Sequence, residues 1–182
     1  MPRTEQYLLP DGSLTSDRRR GAVLVAPADV ARWAAAHTAV IPGHVFLGCA
    51  QHETDYAANE IDTEESGFQS IGLYQVSQLE AARAGEPKAL LFCPWTSTRI
   101  MARLMEYALD QIVRAAGLGE QSPDVWAYLA IVHNQGLGAA LKSIRSYGLD
   151  WAAYKVRNAT TNVRGIIPYG DDCMPSSRTM SL

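Results

Sequence analysis

The chain has 182 residues, a net charge of -3 and 47% hydrophobic residues, which suits a single domain with its own core. The small acidic excess argues against non-specific nucleic-acid binding as the main task. No apolar run approaches the length of a membrane span. The N-terminal residues also lack the apolar segment of a secretory signal, so we expect a chain that is made in the cytoplasm and needs a separate route to any other compartment.

The first 25 residues contain Pro2, Pro10 and Gly12 without any periodicity, and we predict an N-terminal extension there. The basic run at residues 18–20 is interpreted as a solvated turn. Helical patterns then follow one another, with proline and glycine at their boundaries. They cover residues 26–40, 42–53, 77–86, 93–119, 122–136, 137–148 and 149–159.

Strand patterns are scarce in this sequence. Only residues 60–76 could form a β-hairpin or a small irregular sheet, and residues 161–182 are predicted to form an irregular C-terminal tail rich in proline and glycine. The sequence therefore predicts a mostly α fold with one domain at residues 26–160. Three cysteines stand far apart without the spacing of metal ligands, so we expect no metal or other cofactor, and one disulfide stays open: Cys49, Cys93 and Cys173.

Glu53 is the first candidate for chemistry. It follows Phe46 and Cys49 at helical spacing, so it extends an apolar stripe and falls in the last turn of its helix. Apolar surroundings and the negative end of the helix dipole both favour a neutral carboxylic acid over a carboxylate. A carboxyl group that keeps its proton can serve as a general acid, whereas an ordinary helix-end glutamate would simply face solvent.

Acidic residues follow Glu53 closely, and a second carboxylate beside the first would suit glycoside hydrolysis. The candidates are Asp62, Glu64 and Glu65, although most residues of an acidic run lie in solvated loops. The stretch "HETDY" resembles the start of a zinc-protease motif, but Tyr56 stands where that motif needs histidine. A metalloprotease is therefore not expected.

The stretch "QHETDYAANEIDTEESGFQSIGLYQVS" resembles the catalytic segment of lysozyme-like enzymes, especially the soluble lytic transglycosylases. In that family a helix ends in the catalytic glutamate, a serine follows, and the chain returns through Gly-Leu-Met-Gln. Glu53 matches the glutamate, Ser66 the serine, and residues 72–75 the return, with Tyr74 in place of methionine and Gln75 as the glutamine.

Two further stretches extend the resemblance toward residue 159. "AIVHNQGLGAAL" is similar to the family's Ala-Tyr-Asn-Ala-Gly-x-Gly signature, with Asn134 in register and His133 in place of tyrosine. "LDWAAYKVRNA" is similar to a closing family helix through Tyr154 and Val156. The resemblance implies a lysozyme-like, two-lobed helical domain with a cleft that binds the glycan strands of peptidoglycan.

The resemblance also implies roles for individual side chains. Glu53 would be the catalytic acid, and the other matched residues would bind substrate: Ser66, Tyr74, Gln75, His133, Asn134 and Tyr154. For Tyr74 core packing is the favoured alternative, and Asn134 could equally close a helix.

Three functions follow as expectations. The first is a lytic transglycosylase that cleaves the β-1,4 bond between N-acetylmuramic acid and N-acetylglucosamine with one glutamate. The second is a hydrolytic lysozyme of goose or phage type, and the third is a non-catalytic glycan-binding or structural protein. A wall-cleaving enzyme would act in the periplasm or cell wall, and a phage or secretion-machinery component would fit a chain without a signal peptide.

Overall fold

The structure, a computed structural model, describes residues 4–117, 129, 132–133 and 136–142. Residues 4–116 contain five strands and five α-helices, with a 3₁₀ helix at Lys88–Phe92. In chain order they are β1 (Thr4–Leu8), β2 (Leu14–Thr15), α1 (Arg18–Gly21), α2 (Pro27–His37), α3 (Gly43–Thr54), β3 (Glu60–Thr63), β4 (Gln69–Ile71), β5 (Val76–Ser77), α4 (Gln78–Arg83) and α5 (Pro94–Ala116).

The strands form one antiparallel sheet in the order β2-β1-β3-β4-β5. The mostly α prediction was therefore wrong, because the fold is mixed, with a five-stranded sheet beside the helices. Each strand has between two and five residues. Segments this short show too little period-2 alternation to stand out against the long helical patterns.

The N-terminal segment, which we predicted as an extension, contributes to this sheet. Strand β1 lies between β2 and β3, and its residues pair antiparallel with β3 from Thr4 opposite Thr63 to Tyr7 opposite Glu60. The Tyr7 side chain is buried, and full burial of an aromatic ring contributes substantially to stability. Residues 4–8 are thus an integral part of the fold.

Three of the helices pack against one another and form much of the core. Helix α3 packs against α2, and α2 packs against α5. Every residue from 45 to 50 of α3 is buried, which explains why its sequence is apolar all round rather than along one stripe. The core continues through Tyr74, Ile100, Met101 and Ile112.

The predicted starts of three helices and the predicted end of one of them are confirmed. Proline stands at the first turn of α2 and of α5, and Gly117 ends α5 in the left-handed conformation with φ of 63°. Helix α3 begins directly after Pro42, as its sequence predicts. The predicted helix at 149–159 and the C-terminal tail lie outside the described residues, as does Cys173, while Cys49 and Cys93 are free thiols.

Within the described ranges, the structure contains no helix with both the length and the apolar character needed to cross a membrane. In the same residues, no group of three or more histidine, cysteine or acidic side chains could hold a metal ion.

Candidate active site

Glu53 lies in the last turn of α3, where its sequence predicts it. Its side chain is 16% exposed, so most of it is withdrawn from water while part stays accessible. The helix ends one residue later at Thr54, because Asp55 adopts the left-handed conformation with φ of 47° and its backbone N–H caps the last carbonyl groups. Tyr56 is also left-handed, with φ of 66°. Two consecutive strained residues are an unusual helix end, and such strain clusters at functional sites.

The residues 72–75, which we call the return turn, lie between β4 and β5. Gly72 has φ of 75°, and a Cβ atom there would lie 2.1 Å from the carbonyl oxygen of Leu91, so only glycine fits. Gln75 is left-handed with φ of 48°. Its backbone N–H donates to the Gly72 carbonyl at 3.0 Å, and its side-chain Nε2 donates to the same oxygen at 3.1 Å. The glutamine therefore closes the turn on itself.

The return turn is tied directly to the end of α3. The buried Thr54 hydroxyl donates a hydrogen bond to the Leu73 carbonyl at 3.1 Å. Since Thr54 follows Glu53 in the chain, this bond fixes the return turn against the residue that carries the candidate acid. The two halves of the first sequence motif are thus in contact.

His133 brings the second motif to the same place. Its Nε2 atom lies 3.5 Å from Oε1 of Glu53, and its side chain is 13% exposed. Burial lowers the pKa of His133, while the nearby carboxylates of Glu53 and Glu80 and a hydrogen bond to the Tyr74 backbone oppose that shift. Burial has the largest influence, so the imidazole is neutral at neutral pH.

Arg18 holds the end of α3 from the other side. Its guanidinium donates to the Thr54 carbonyl at 3.1 Å and to both the carbonyl and Oδ2 of Asp55 at 3.1 Å. A cation at the C-terminus of a helix also complements the helix dipole. The prediction of a solvated turn at residues 18–20 is wrong for Arg18, because its side chain is only 40% exposed and binds these groups.

Arg18 also reaches a buried carboxyl group in the sheet. Its Nη1 lies 3.7 Å from Oε2 of Glu60, whose side chain is 4% exposed. Burial raises the pKa of Glu60 to about 7, with a further contribution from the charge of Glu5, and the Tyr7 hydroxyl and Arg18 oppose it. Sequence reasoning missed Glu60 as a special group. The alternation in Glu60-Ile61-Asp62-Thr63 was the available signal, since it places the two acids on one face of a strand.

The three candidates for a second carboxylate lie in different settings. Asp62 is buried on β3, two residues beyond Glu60, and pairs with Glu5 and Ser70 on the neighbouring strands. Glu64 and Glu65 lie in the hairpin between β3 and β4, where Glu65 is exposed. Asp62 is therefore the candidate that the fold withdraws from bulk water and holds on a regular strand.

The other predicted substrate-binding residues are not all at a surface. Ser66 is exposed in the β3–β4 hairpin, and its hydroxyl accepts a hydrogen bond from the Phe68 N–H at 3.3 Å. Tyr74 is fully buried against Phe46, with its hydroxyl 3.1 Å from that of Thr98. A buried ring cannot stack on a sugar, so Tyr74 is a core residue and the predicted contact is corrected. Asn134 and Tyr154 lie outside the described residues.

A groove of about 520 Å³ is lined in part by His133. Helices α4 and α5 line it together with residues 129, 132–133 and 136–139, and its charged residues include Glu80, Arg83 and Arg103. Glu53 does not line this groove. His133 therefore contacts Glu53 and also lines a groove to which Glu53 does not contribute.

Glu53, Thr54, the return turn and His133 together form the candidate site, with Arg18 behind it. Comparison of the chain with protein-family models, with curated proteins and with solved structures found no match. The function is therefore argued from these residues and from their resemblance to the lysozyme-like motifs.

Proposed function

We propose that this protein cleaves the β-1,4 bond between N-acetylmuramic acid and N-acetylglucosamine in peptidoglycan, with Glu53 as the catalytic acid. One observation carries the proposal: Glu53 and His133, from two separate motifs of the lysozyme-like resemblance, meet at 3.5 Å. Each motif alone is a weak signal. Their contact in space is the arrangement that a shared active site requires.

The lytic transglycosylase reaction needs only one carboxyl group. Glu53 gives its proton to the glycosidic oxygen as the bond from that oxygen to C1 of the muramic acid breaks. The 6-hydroxyl of the same sugar then attacks C1, and its proton returns to the Glu53 carboxylate. The product is a 1,6-anhydro sugar, and no water is consumed. Partial exposure of Glu53, beside a neutral histidine, supports a group that must both release and recover a proton.

A hydrolytic lysozyme is the second candidate, and the position of Asp62 favours it. In a hydrolase a second carboxylate assists water or stabilises the developing positive charge on the sugar. Asp62 is buried on β3, on the strand face that also carries Glu60. Arg18 connects Glu60 to the end of α3, so this face lies toward the helix end that carries Glu53. Asp62 is our choice for the second acid if the enzyme is a hydrolase.

The substrate would place the protein's work in the cell wall or periplasm. Delivery as a phage enzyme or as a component of a secretion machine would bring the protein to this substrate. Both settings predict activity against intact peptidoglycan sacculi, because the enzyme would meet the polymer before any fragment.

The test is digestion of purified peptidoglycan by the wild type, Glu53→Gln and Asp62→Asn, with the products identified by mass spectrometry. Asp110→Asn, which removes an exposed carboxylate on α5, is the matched control and should behave as the wild type. Anhydro-ended products that vanish only in Glu53→Gln would support the transglycosylase. Products that carry an added water and are lost in both site variants would support the hydrolase. If folded wild type releases nothing from several peptidoglycans, the proposal is wrong and a non-catalytic role replaces it.

A further inference from the structure

We propose that the groove beside His133 binds the peptide stem of peptidoglycan, so that the protein prefers glycan strands that still carry their peptides. This inference rests on the proposed function and adds a second part of the substrate to it. The stem begins at the lactyl group of N-acetylmuramic acid, the sugar whose bond at C1 is broken. The groove continues directly from the candidate site, because His133 lies 3.5 Å from Glu53 and also lines the groove.

The groove has a largely apolar wall. Its apolar residues on α5 stand at positions 101, 104, 105 and 108, a spacing that places them on one face of the helix. The apolar side chains that line the groove include Met101, Leu104, Met105, Leu129, Val132 and Leu137. A sugar ring carries several hydroxyl groups, and most of them would lose their hydrogen bonds to water against such a wall. The wall therefore suits a part of the substrate other than the sugars.

The charged side chains in the groove leave positive charge available to a ligand. Arg83 is exposed in the last turn of α4 and has no acidic partner among the described residues. Arg103 is 58% exposed and lies 3.9 Å from Glu86, whereas Glu86 binds Arg99 at 2.6 Å. Glu80 also lines the groove, but its Oε2 is engaged in the capping box of α4. Two guanidinium groups therefore remain largely free to bind an anion.

A short peptide with small apolar side chains and carboxylates matches this lining. A peptide stem carries alanine methyl groups, which can pack on the apolar wall, and free carboxylates, which arginine binds with two parallel hydrogen bonds. The groove volume of about 520 Å³ lies within the range of about 300–1,000 Å³ that is usual for ligand sites. Size, charge and position beside Glu53 thus agree on the same occupant.

Gly138 offers a way to close the groove without changing its charges. It lines the groove within the helical residues 137–142, and a Cβ atom there would meet nothing within 4 Å. The ring of Gly138→Phe can therefore fill space that the stem would use. Arg83→Gln and Arg103→Gln each remove one charge and keep a polar side chain. Arg114→Gln, at an exposed arginine of α5 that does not line the groove, is the matched control.

The first test compares kcat/KM on soluble glycan strands with the value on the same strands after an amidase has removed their peptides. We expect the wild type to prefer the peptide-bearing strands by roughly tenfold, about the effect of one hydrogen bond to a charged group. Gly138→Phe and both groove arginine variants should bring this ratio toward one, mainly through KM, while Arg114→Gln keeps the wild-type ratio. Equal wild-type values on the two substrates, or variants that lose the same factor on both, would overturn the inference and leave the proposed function standing.

The second test does not depend on cleavage. Isothermal titration with an N-acetylmuramoyl tetrapeptide, which has no glycosidic bond, should show weaker binding in Gly138→Phe and Arg83→Gln than in the wild type and Arg114→Gln. Equal affinities, or no binding, would overturn the inference even if the protein cleaves peptidoglycan. Groove-dependent binding by a protein that cleaves nothing would support the inference and refute the catalytic proposal. A dimer in sedimentation that Gly138→Phe dissociates would assign the groove to a second copy of the chain and overturn the inference.

Discussion

Glu53 and Glu60 are two withdrawn carboxyl groups with basic partners at nearly equal distances. Glu53 lies 3.5 Å from His133, and Glu60 lies 3.7 Å from Arg18. The partners differ in one chemical respect. A histidine can be neutral and can offer a lone pair, whereas arginine is always charged and only donates. Similar spacing therefore gives one carboxyl group a partner that can change its charge and the other a partner with a fixed positive charge.

The surroundings of the two glutamates differ as well. Glu60 is in the middle of the sheet, opposite Tyr7, and its backbone carbonyl accepts a hydrogen bond from Gly72 at 2.8 Å. Glu53 is at a helix end, next to two left-handed residues, and keeps 16% of its side chain exposed. A group on the central strand of the sheet has a neighbouring strand on each side, while a group at a helix end is open to a substrate. Burial and a basic partner are thus insufficient to identify a catalytic acid; access decides between them.

The largest expected effect concerns activity. Glu53→Gln should lower kcat on peptidoglycan by about 10²- to 10⁴-fold, the usual contribution of a general acid, because the amide has no acidic proton. Glu60→Gln should leave kcat close to the wild-type value, since Glu60 faces Arg18 and Tyr7 inside the sheet. Kinetics on soluble muropeptides, with circular dichroism to verify folding, measure both. A Glu60→Gln variant as inactive as Glu53→Gln would reverse the assignment.

The next effect is on stability and is specific to Glu60. Its pKa is about 7 in the fold and 4.5 in the unfolded chain. Below pH 4.5 the Glu60 carboxyl group is protonated in both the folded and the unfolded state, so burying it costs no ionisation energy and the protein has its full stability. Between 4.5 and 7 the unfolded chain releases its proton while the folded protein keeps it, so stability falls as the pH rises. The total loss is about 3 kcal/mol.

Urea unfolding at a series of pH values measures this loss. Glu60→Gln imitates the protonated side chain and has no proton to release, so this part of the pH dependence should disappear. The variant should match the wild type near pH 4.5 and exceed it in stability above pH 7. If the free energies of unfolding of the two proteins follow parallel curves across the whole pH range, the sheet does not destabilise the Glu60 carboxylate.

The sequence allowed the Glu53 side of this comparison to be predicted, because its signals are local. Pro42 and the apolar run after it predict helix α3, and Gly72 marks a turn that only glycine can make. The contact of His133 with Glu53 could be expected only through the family resemblance. No rule of spacing predicts a contact between residues so far apart in the chain.

The Glu60 side could not be predicted, because it depends on long-range pairing. Strand β1 becomes a strand only through its register with β3, which sets Tyr7 opposite Glu60. The sequence does not distinguish Arg18 from Arg19 and Arg20, which belong to the same basic run. In the structure only Arg18 binds the end of α3, whereas Arg19 and Arg20 are exposed. Tyr74 illustrates the opposite limit. The resemblance led us to predict a substrate contact for Tyr74, but its side chain is buried against Phe46 and Thr98, which the sequence does not indicate.

Arg18 links the two regions, and its loss should be felt in both. Arg18→Met removes the bonds to the Thr54 and Asp55 carbonyls and should destabilise the fold by about 2 kcal/mol, reduced by the partial exposure of the pair. The loss should be greater at pH 8 than at pH 5, because Glu60 is charged only at the higher pH. Arg19→Met, at an exposed neighbour, is the matched control and should change stability by less than about 0.5 kcal/mol. Equal losses in both variants would mean that Arg18 does not hold the helix end.

The smallest effect tests how the return turn is held against Glu53. Thr54→Val keeps the shape of the side chain but removes the hydroxyl that donates to Leu73 at 3.1 Å, and the unsatisfied carbonyl should cost about 1 kcal/mol of stability. Thr54→Ser keeps the hydroxyl and is the control. Because Tyr74, the next residue, accepts the hydrogen bond from His133, a displaced turn also displaces the imidazole ring. We therefore expect Thr54→Val to lower kcat more than Thr54→Ser does. Both variants are assayed well below their unfolding temperatures, so that both are fully folded during the measurement. If the two variants lose activity only in proportion to stability, the return turn supports the fold but does not position the acid.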